Sequence, residues 1–355
     1  SMNRAAVHFV RQHHIRLESA RFLDRVWIRE ALAQDPAITE AVAAQARLTG
    51  ESRLLLRDKV DDYVNEIAPF FSLAAYYRFG AAIGKRIVNF CFEVVMNPTE
   101  FEVQAARAPV GAVRVYVINH RANMDPLILA YALLRRVPMS YAVGEWALVW
   151  PLDWLFRAFG SYFVRRGETD PLYHVVLERF IQLLAGKGAV TGFFVEGGLS
   201  RDGRLRPPRT GLLEYLIKLR INQPDREIVF FPVGLNYDRV FEDRILTREK
   251  HGPVPRPTPL ERIVNLFSLM FWLPLLIAAN TLKVAMRSHH KFGYAAICFG
   301  EPLKLSEFPG GKDIHLLSDE ERQIVVGELA RELLFERIAK VIPVLPVPLL
   351  SMALL

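Results

Sequence analysis

From residue 110 onward, short β-branched and aromatic runs alternate with longer helical stretches, and this alternation limits the possible folds more than any other feature. VGAVRVYVIN, MSYAVGE, SYFVRRG, AVTGFFVEGG, EIVFFPVGLNYD and GYAAICFGEP are short runs whose apolar positions are rich in β-branched and aromatic residues. Strands covered on both faces read this way. Between and after them LILAYALLRR, WALVWPLDWLFRAFG, DPLYHVVLERFIQLLAGKG, LLEYLIKLRI and DEERQIVVGELARELLFERIAKVI carry helical spacing. Strands alternating with helices imply an α/β fold with a largely parallel central sheet flanked by helices.

Residues 19–97 are helical in period instead. DPAITEAVAAQARLTG has a start at Asp35-Pro36 and a stop at Gly50, and further helices are expected near 51–67 and 71–95. The expected organisation is a helical N-terminal region over 1–105, an α/β domain over 106–310, and a C-terminal helix with an apolar tail over 311–355.

Composition narrows the partners. The net charge is +7 and 51% of residues are hydrophobic. Basic and apolar together fit an anionic membrane surface, a polyanionic small molecule or nucleic acid. Basic–aromatic interleaving of the kind that grips nucleic acid is missing, so nucleic acid is not expected. Cys91 and Cys298 each sit inside an apolar run and read as reduced core residues, not a disulfide or zinc framework. The opening SMNRAAVHFVRQHH lacks the apolar run and cleavage site of a signal peptide. Residues 263–282, IVNLFSLMFWLPLLIAANTL, hold no charge between Arg262 and Lys283. That length can cross a bilayer core, yet Pro274, Asn265 and Asn280 would be awkward in hydrocarbon. A surface-lying or re-entrant helix pair, a buried helix and a true span all stay open. The tail VIPVLPVPLLSMALL is broken by Pro343, Pro346 and Pro348, so it is not one regular helix.

Polar residues gather just after strand ends, where open α/β sheets bind ligands. In NHRANMDP, residues 119–126, Asp125 is expected about one turn inside a helix that starts near His120. It would hold one imidazole nitrogen and leave the other basic. The plain alternative is a solvated turn with Asn119 capping the helix. In SYFVRRG, Arg165 and Arg166 should point to opposite faces of a strand. In FFVEGGLSRDGRLRPPRTG, Glu196 ends a strand, Gly197 and Gly198 permit close backbone approach, and Arg201, Arg204, Arg206 and Arg209 form a dense positive patch. A solvated face is the competing explanation. No Gly-x-x-x-x-Gly-Lys-Ser/Thr loop is present, which argues against an NTPase. Ser200 stands in GLSRD, without the second glycine of a nucleophile elbow.

In this order NHRANMD, SYFVRRG, FVEGGLSRDGRLRPPRTG and FFPVGLNYDRV resemble the four motif blocks of the glycerolipid acyltransferase superfamily, and most of all its glycerol-3-phosphate and dihydroxyacetone-phosphate branch. GYAAICFGEPLKLSEF, DPAITEAVAAQA and LPVPLLSMALL extend the resemblance along nearly the whole chain. It implies direct acyl transfer from acyl-CoA or acyl-carrier protein to glycerol 3-phosphate, with no metal or redox cofactor. His120 would be the base and Asp125 its orienter. Arg165 or Arg166, with Arg201 and Arg204, would hold the acceptor phosphate, over a floor of Glu196, Gly197 and Gly198. The stretch 146–160 would offer a wall for the acyl chain, or be a core helix. Membrane lipid would be a partner, with the enzyme monotopic or peripheral at a cytoplasmic membrane face. Leu199 replaces an arginine usual after the two glycines, Ala122 a usual serine, and Pro126 a usual aromatic. Asn119 is more like the enzymes that use 1-acylglycerol 3-phosphate, so that acceptor stays open. A lipid- or CoA-binding module without catalysis is the other alternative.

Overall fold

The computed structural model describes residues 25–69, 81–133, 136, 139–145, 148, 152–158, 160–165, 167–240 and 291–354. The apolar segment 263–282, Arg166 and, within 146–160, residues 146, 147, 149–151 and 159 lie outside these residues.

Three helices come first: α1 (Arg25–Ala33), α2 (Pro36–Thr49) and α3 (Arg53–Ile67). The expected signals operate at α2. Asp35 accepts from the Ala37 N–H at 2.9 Å, and Gly50 ends the helix at φ 75°. Then α4 (Ala81–Cys91) gives way to β1 (Glu93–Met96), followed by α5 (Pro98–Ala106). The helix expected near 71–95 is present over Ala81–Cys91 and stops short of its expected end, while 71–80 lie outside the described residues. Val94 and Val95 extend instead, because β1 pairs in parallel with a strand two hundred residues later, Glu93 opposite Tyr294. Local spacing carries no trace of that partner.

The alternating region follows as β2 (Val113–Ile118), α6 (Asp125–Leu133), β3 (Met139–Gly144), α7 (Leu152–Ala158), β4 (Tyr162–Val164), α8 (Pro171–Gly186), β5 (Val190–Phe194), α9 (Gly211–Asn222) and β6 (Ile228–Tyr237). After residue 290 come β7 (Tyr294–Phe299), the short β8 (Leu303–Lys304), and α10 (Asp319–Arg331) with a π-helical continuation over Glu332–Ile338. The terminal helix is α11 (Pro346–Leu354).

The strands form one sheet in the order β1-β7-β6-β2-β5-β3-β4, with β8 on β6. β6, β2, β5, β3 and β4 are mutually parallel, while β7 and β8 pair antiparallel with β6. Side chains of β2 alternate between two cores, as strand geometry requires. Val113, Val115 and Val117 pack with α1, α2, α3, α8, α9 and α10. Tyr116 and Ile118 pack with α4, α5 and α6 on the opposite face. The N-terminal helices thus share the main core and do not pack apart from the sheet.

The chain leaves β2 toward β3 on one side and leaves β5 toward β6 on the other. Adjacent strands whose connections diverge open a crevice at their carboxyl ends, the usual ligand position in such sheets. Residues 119–126 and 195–210 lie at that point.

Candidate active site

Asn119, directly after β2, is fully buried, and its amide pairs with the backbone of Leu235 in both directions, at 2.9 Å and 2.8 Å. It prolongs the β2–β6 ladder by a side chain and does not cap a helix. The chain then turns sharply, and α6 begins only at Asp125. Asp125 is therefore the first residue of the helix, not one turn inside it.

From that position the Asp125 carboxylate reaches back. Oδ2 accepts the N–H of Arg121 at 2.6 Å and of Ala122 at 3.0 Å, and lies 2.8 Å from His120 Nδ1. Oδ1 accepts the Tyr237 hydroxyl at 2.6 Å. An anionic carboxylate only accepts, so Nδ1 carries the proton and Nε2 is left as the basic nitrogen. The imidazole lies flat on Phe194, ring centres 4.1 Å apart.

Glu196, just past β5, is also buried. Its carboxylate accepts the His120 N–H at 2.9 Å and the Arg206 N–H at 2.7 Å. Burial pushes its carboxyl above the usual range, against the pull of those two amides and of Arg121. The Ser200 N–H donates to the His120 carbonyl at 3.1 Å, and Arg121 Nη1 donates to the Gly203 carbonyl. The loop after β5 is thereby sewn to the loop carrying the histidine. Glu196 is a structural brace for the histidine loop, and of the expected floor residues Glu196, Gly197 and Gly198 only Gly197 lines the cavity beside this loop. The Ser200 hydroxyl donates to the Arg204 carbonyl at 2.7 Å, a loop-closing role that agrees with its lack of an elbow.

His120 borders a cavity of about 560 Å³. Pro126, Val143, Val164, Leu177, Phe193, Phe194 and Leu212 make much of its wall apolar, while Arg165, Glu168, His174, Tyr215 and Arg209 add polar groups. Gly197 and Arg209 line the same cavity. Gly197 has φ 63°, and a Cβ there would stand 2.8 Å from Arg209 Cγ. A side chain at 197 would be strained and would push on the arginine.

The predicted cations separate. Arg165 lines the cavity, but Glu66 and Glu168 occupy three of its five N–H donors. Arg201, Arg204 and Arg209 are all exposed on the loop, and of the three only Arg209 lines the cavity. Nothing in the spacing sets Arg209 apart from its three neighbours. It is brought in by its own N–H, which donates to the Val195 carbonyl at 2.7 Å. Tyr237 and the pairing role of Asn119 were likewise invisible, since their partners lie more than a hundred positions away. Among the described residues no group of three or more His, Cys, Asp or Glu could hold a metal ion.

Residues 101–236 match the family model described as Acyltransferase. The glycerol-3-phosphate acyltransferase of Aeromonas hydrophila is 29% identical over 99% of this chain and 42% of its own length. Those of Pseudoalteromonas atlantica and Pseudomonas paraeruginosa are 30% and 31% identical over 86% and 79% of this chain, and 35% and 31% of their own lengths. The chain thus spans less than half the length of these curated relatives. A crystal structure of the 1-acyl-sn-glycerophosphate acyltransferase PlsC from Thermotoga maritima overlaps 83% of this chain and 88% of that one, loosely, with a TM-score of 0.38 and 15% identity. The family match over 101–236 and the similarity to these relatives along most of the chain lead to one assignment: residues 101–236 form an Acyltransferase domain.

Proposed function

We propose that this chain moves a fatty acyl group from an acyl thioester, acyl-CoA or acyl-carrier protein, to the hydroxyl of glycerol 3-phosphate, yielding lysophosphatidic acid. The observation that carries the reading is the His120–Asp125 pair, with Nδ1 held by the carboxylate at 2.8 Å, on the edge of a largely apolar cavity.

In the proposed reaction, Nε2 of His120 takes the proton from the acceptor hydroxyl as its oxygen attacks the thioester carbonyl carbon. Asp125 holds the ring in the tautomer this needs and stabilises the imidazolium that forms. The C–S bond of the tetrahedral intermediate then breaks. The thiolate leaves and recovers the proton from Nε2, so no acyl-enzyme forms and no metal or redox group enters the balance.

The apolar part of the cavity would take the acyl chain. Arg209, which lines the same cavity as His120, is the first choice for the acceptor phosphate, assisted by Arg201 and Arg204 from the loop and by the uncommitted donors of Arg165. Arg166 stays in the proposed set on its sequence position alone. Glu196, Gly197 and Gly198 would shape the floor. The relatives' names, which specify glycerol-3-phosphate acyltransferase, support the acceptor.

Lipid substrates suit an enzyme lying on a membrane. Among the described residues no helix is long and apolar enough to cross one. On α11, Leu349, Leu350, Met352 and Leu354 are exposed, between 58% and 79%. With the charge-free stretch 263–282, they support monotopic or peripheral attachment at the cytoplasmic face.

The test is acceptor competition: purified protein, labelled acyl-CoA, and either glycerol 3-phosphate or 1-acylglycerol 3-phosphate. Acylation of the former is expected. A preference for the already acylated acceptor would move the reading to phosphatidic acid formation, and no transfer to either would leave a binding module.

A further inference from the structure

We propose that Tyr237 is a positioning residue for the acyl transfer, acting on His120 through Asp125; the inference rests on the proposed reaction. Tyr237 is the last residue of β6 and is only 3% exposed. Its hydroxyl donates to Asp125 Oδ1 at 2.6 Å, the short distance of a phenol bonded to a carboxylate.

The two oxygens of Asp125 do different work. Oδ2 serves His120 Nδ1 and two backbone amides, all on the loop just before it. Oδ1 has the Tyr237 hydroxyl, which comes from the far side, 112 residues along the chain. The three donors on Oδ2 leave the plane of the carboxylate free to turn about that oxygen. The phenol removes this freedom, and with it the swing that would carry Oδ2 off the line to Nδ1.

Tyr237 is itself fixed. Its ring packs on Phe92 with centres 5.3 Å apart, and its backbone is paired with Ala295 of β7. Two residues earlier the Leu235 carbonyl accepts from Asn119 Nδ2 and the Leu235 N–H donates to Asn119 Oδ1, on the neighbour of His120. One strand end therefore grips the histidine loop twice, once through Asn119 and once through Asp125. A buried carboxylate left without this fourth donor would also lose part of what offsets its desolvation.

Tyr237→Phe keeps the ring and removes only the donor. The variant is expected to lower kcat by about 10- to 100-fold, taking as the scale the loss of an outer hydrogen-bond partner that orients a metal-ligating histidine or carboxylate. KM for both substrates should stay within about twofold, because binding surfaces are untouched. A second measurement does not depend on turnover. Long-range proton–nitrogen spectra of histidine-labelled protein, with His120 assigned by its loss in His120→Ala, report the ring tautomer. Wild type should show the Nδ1–H form alone, and Tyr237→Phe a mixture. An unchanged tautomer, or a kcat within twofold of wild type, overturns the positioning role. If wild-type protein acylates neither acceptor, the functional reading fails while the tautomer spectra still decide whether Tyr237 orients the histidine.

Discussion

Glu66 on α3 holds Arg165 at the end of β4 by two parallel hydrogen bonds, Nε to Oε1 and Nη2 to Oε2, each 2.6 Å. Glu168 takes Nη1 at 2.9 Å, and the guanidinium sits over both Tyr63 and Tyr173, 5.4 and 5.6 Å from the centres of two rings that themselves meet edge to face. The second motif block is thus fastened to the N-terminal helices at the wall of the cavity. Glu66→Ala should lower stability by about 1 to 2 kcal/mol, above a simple surface pair because the geometry is two-pronged and partly covered. Urea unfolding in low salt would measure it. A midpoint equal to wild type would mean the pair adds nothing to the fold.

His120→Ala should cut kcat by about 10² to 10⁴, the usual worth of a positioned general base, with the thermal melt little changed. Asp125→Asn should cost activity too, and in addition about 1 to 3 kcal/mol of stability, since the amide cannot accept from every donor now facing the carboxylate. Release of free thiol from acyl-CoA, read beside a thermal melt, separates the two effects. Activity surviving in His120→Ala would remove the proposed base.

Arg209→Gln should raise KM for glycerol 3-phosphate about tenfold or more, from the loss of a charge-assisted bond, while KM for acyl-CoA holds. Gly197→Ala should act on the same arginine less directly. The backbone at φ 63° disfavours a Cβ, and the new methyl would meet Arg209 Cγ at 2.8 Å. A stability loss of about 1 to 2 kcal/mol is expected with the rise in KM. Steady-state kinetics in both substrates would expose the idea as wrong if the acyl donor, not the acceptor, were affected.

Asp170 makes a prediction in pH. It caps α8 through the Leu172 N–H at 2.9 Å and takes Tyr63 OH and Lys59 Nζ at 2.6 Å each. Burial alone would raise its carboxyl, but the Lys59, Tyr63 and Leu172 hydrogen bonds outweigh it and hold the group down at about 2. Its folded value is below the unfolded one of about 3.9, so the stabilisation is complete above that pH and is lost as pH falls toward 2. Asp170→Asn should therefore be less stable than wild type at pH 7 by about 0.5 to 2 kcal/mol, the gap closing between about pH 4 and 2. Denaturant titrations across that range would show it, and a gap constant with pH would disprove the linkage.

Much of the architecture could be read from short stretches. The strands from β2 to β7, the limits of α2 and the start of α8 at Asp170-Pro171 follow from runs, caps and breakers lying within a few residues of one another. β1 could not, because four residues become a strand only when β7 is beside them. The His120–Asp125 pair was legible because five positions bring both groups to one turn. The error over Asp125 was one of phase, as the chain bends before the helix begins.

By itself, then, the sequence determined the alternating fold, the four polar blocks and the pairing of His120 with Asp125, all of which depend on neighbours along the chain. Only the tertiary structure decided that of Arg201, Arg204 and Arg209 only Arg209 lines the cavity, that Arg165 is tied to Glu66, and that Asn119 and Tyr237 hold the histidine loop from β6. Those contacts join residues far apart in sequence. Their geometry is set by strand order and register, and no local pattern of residues encodes it.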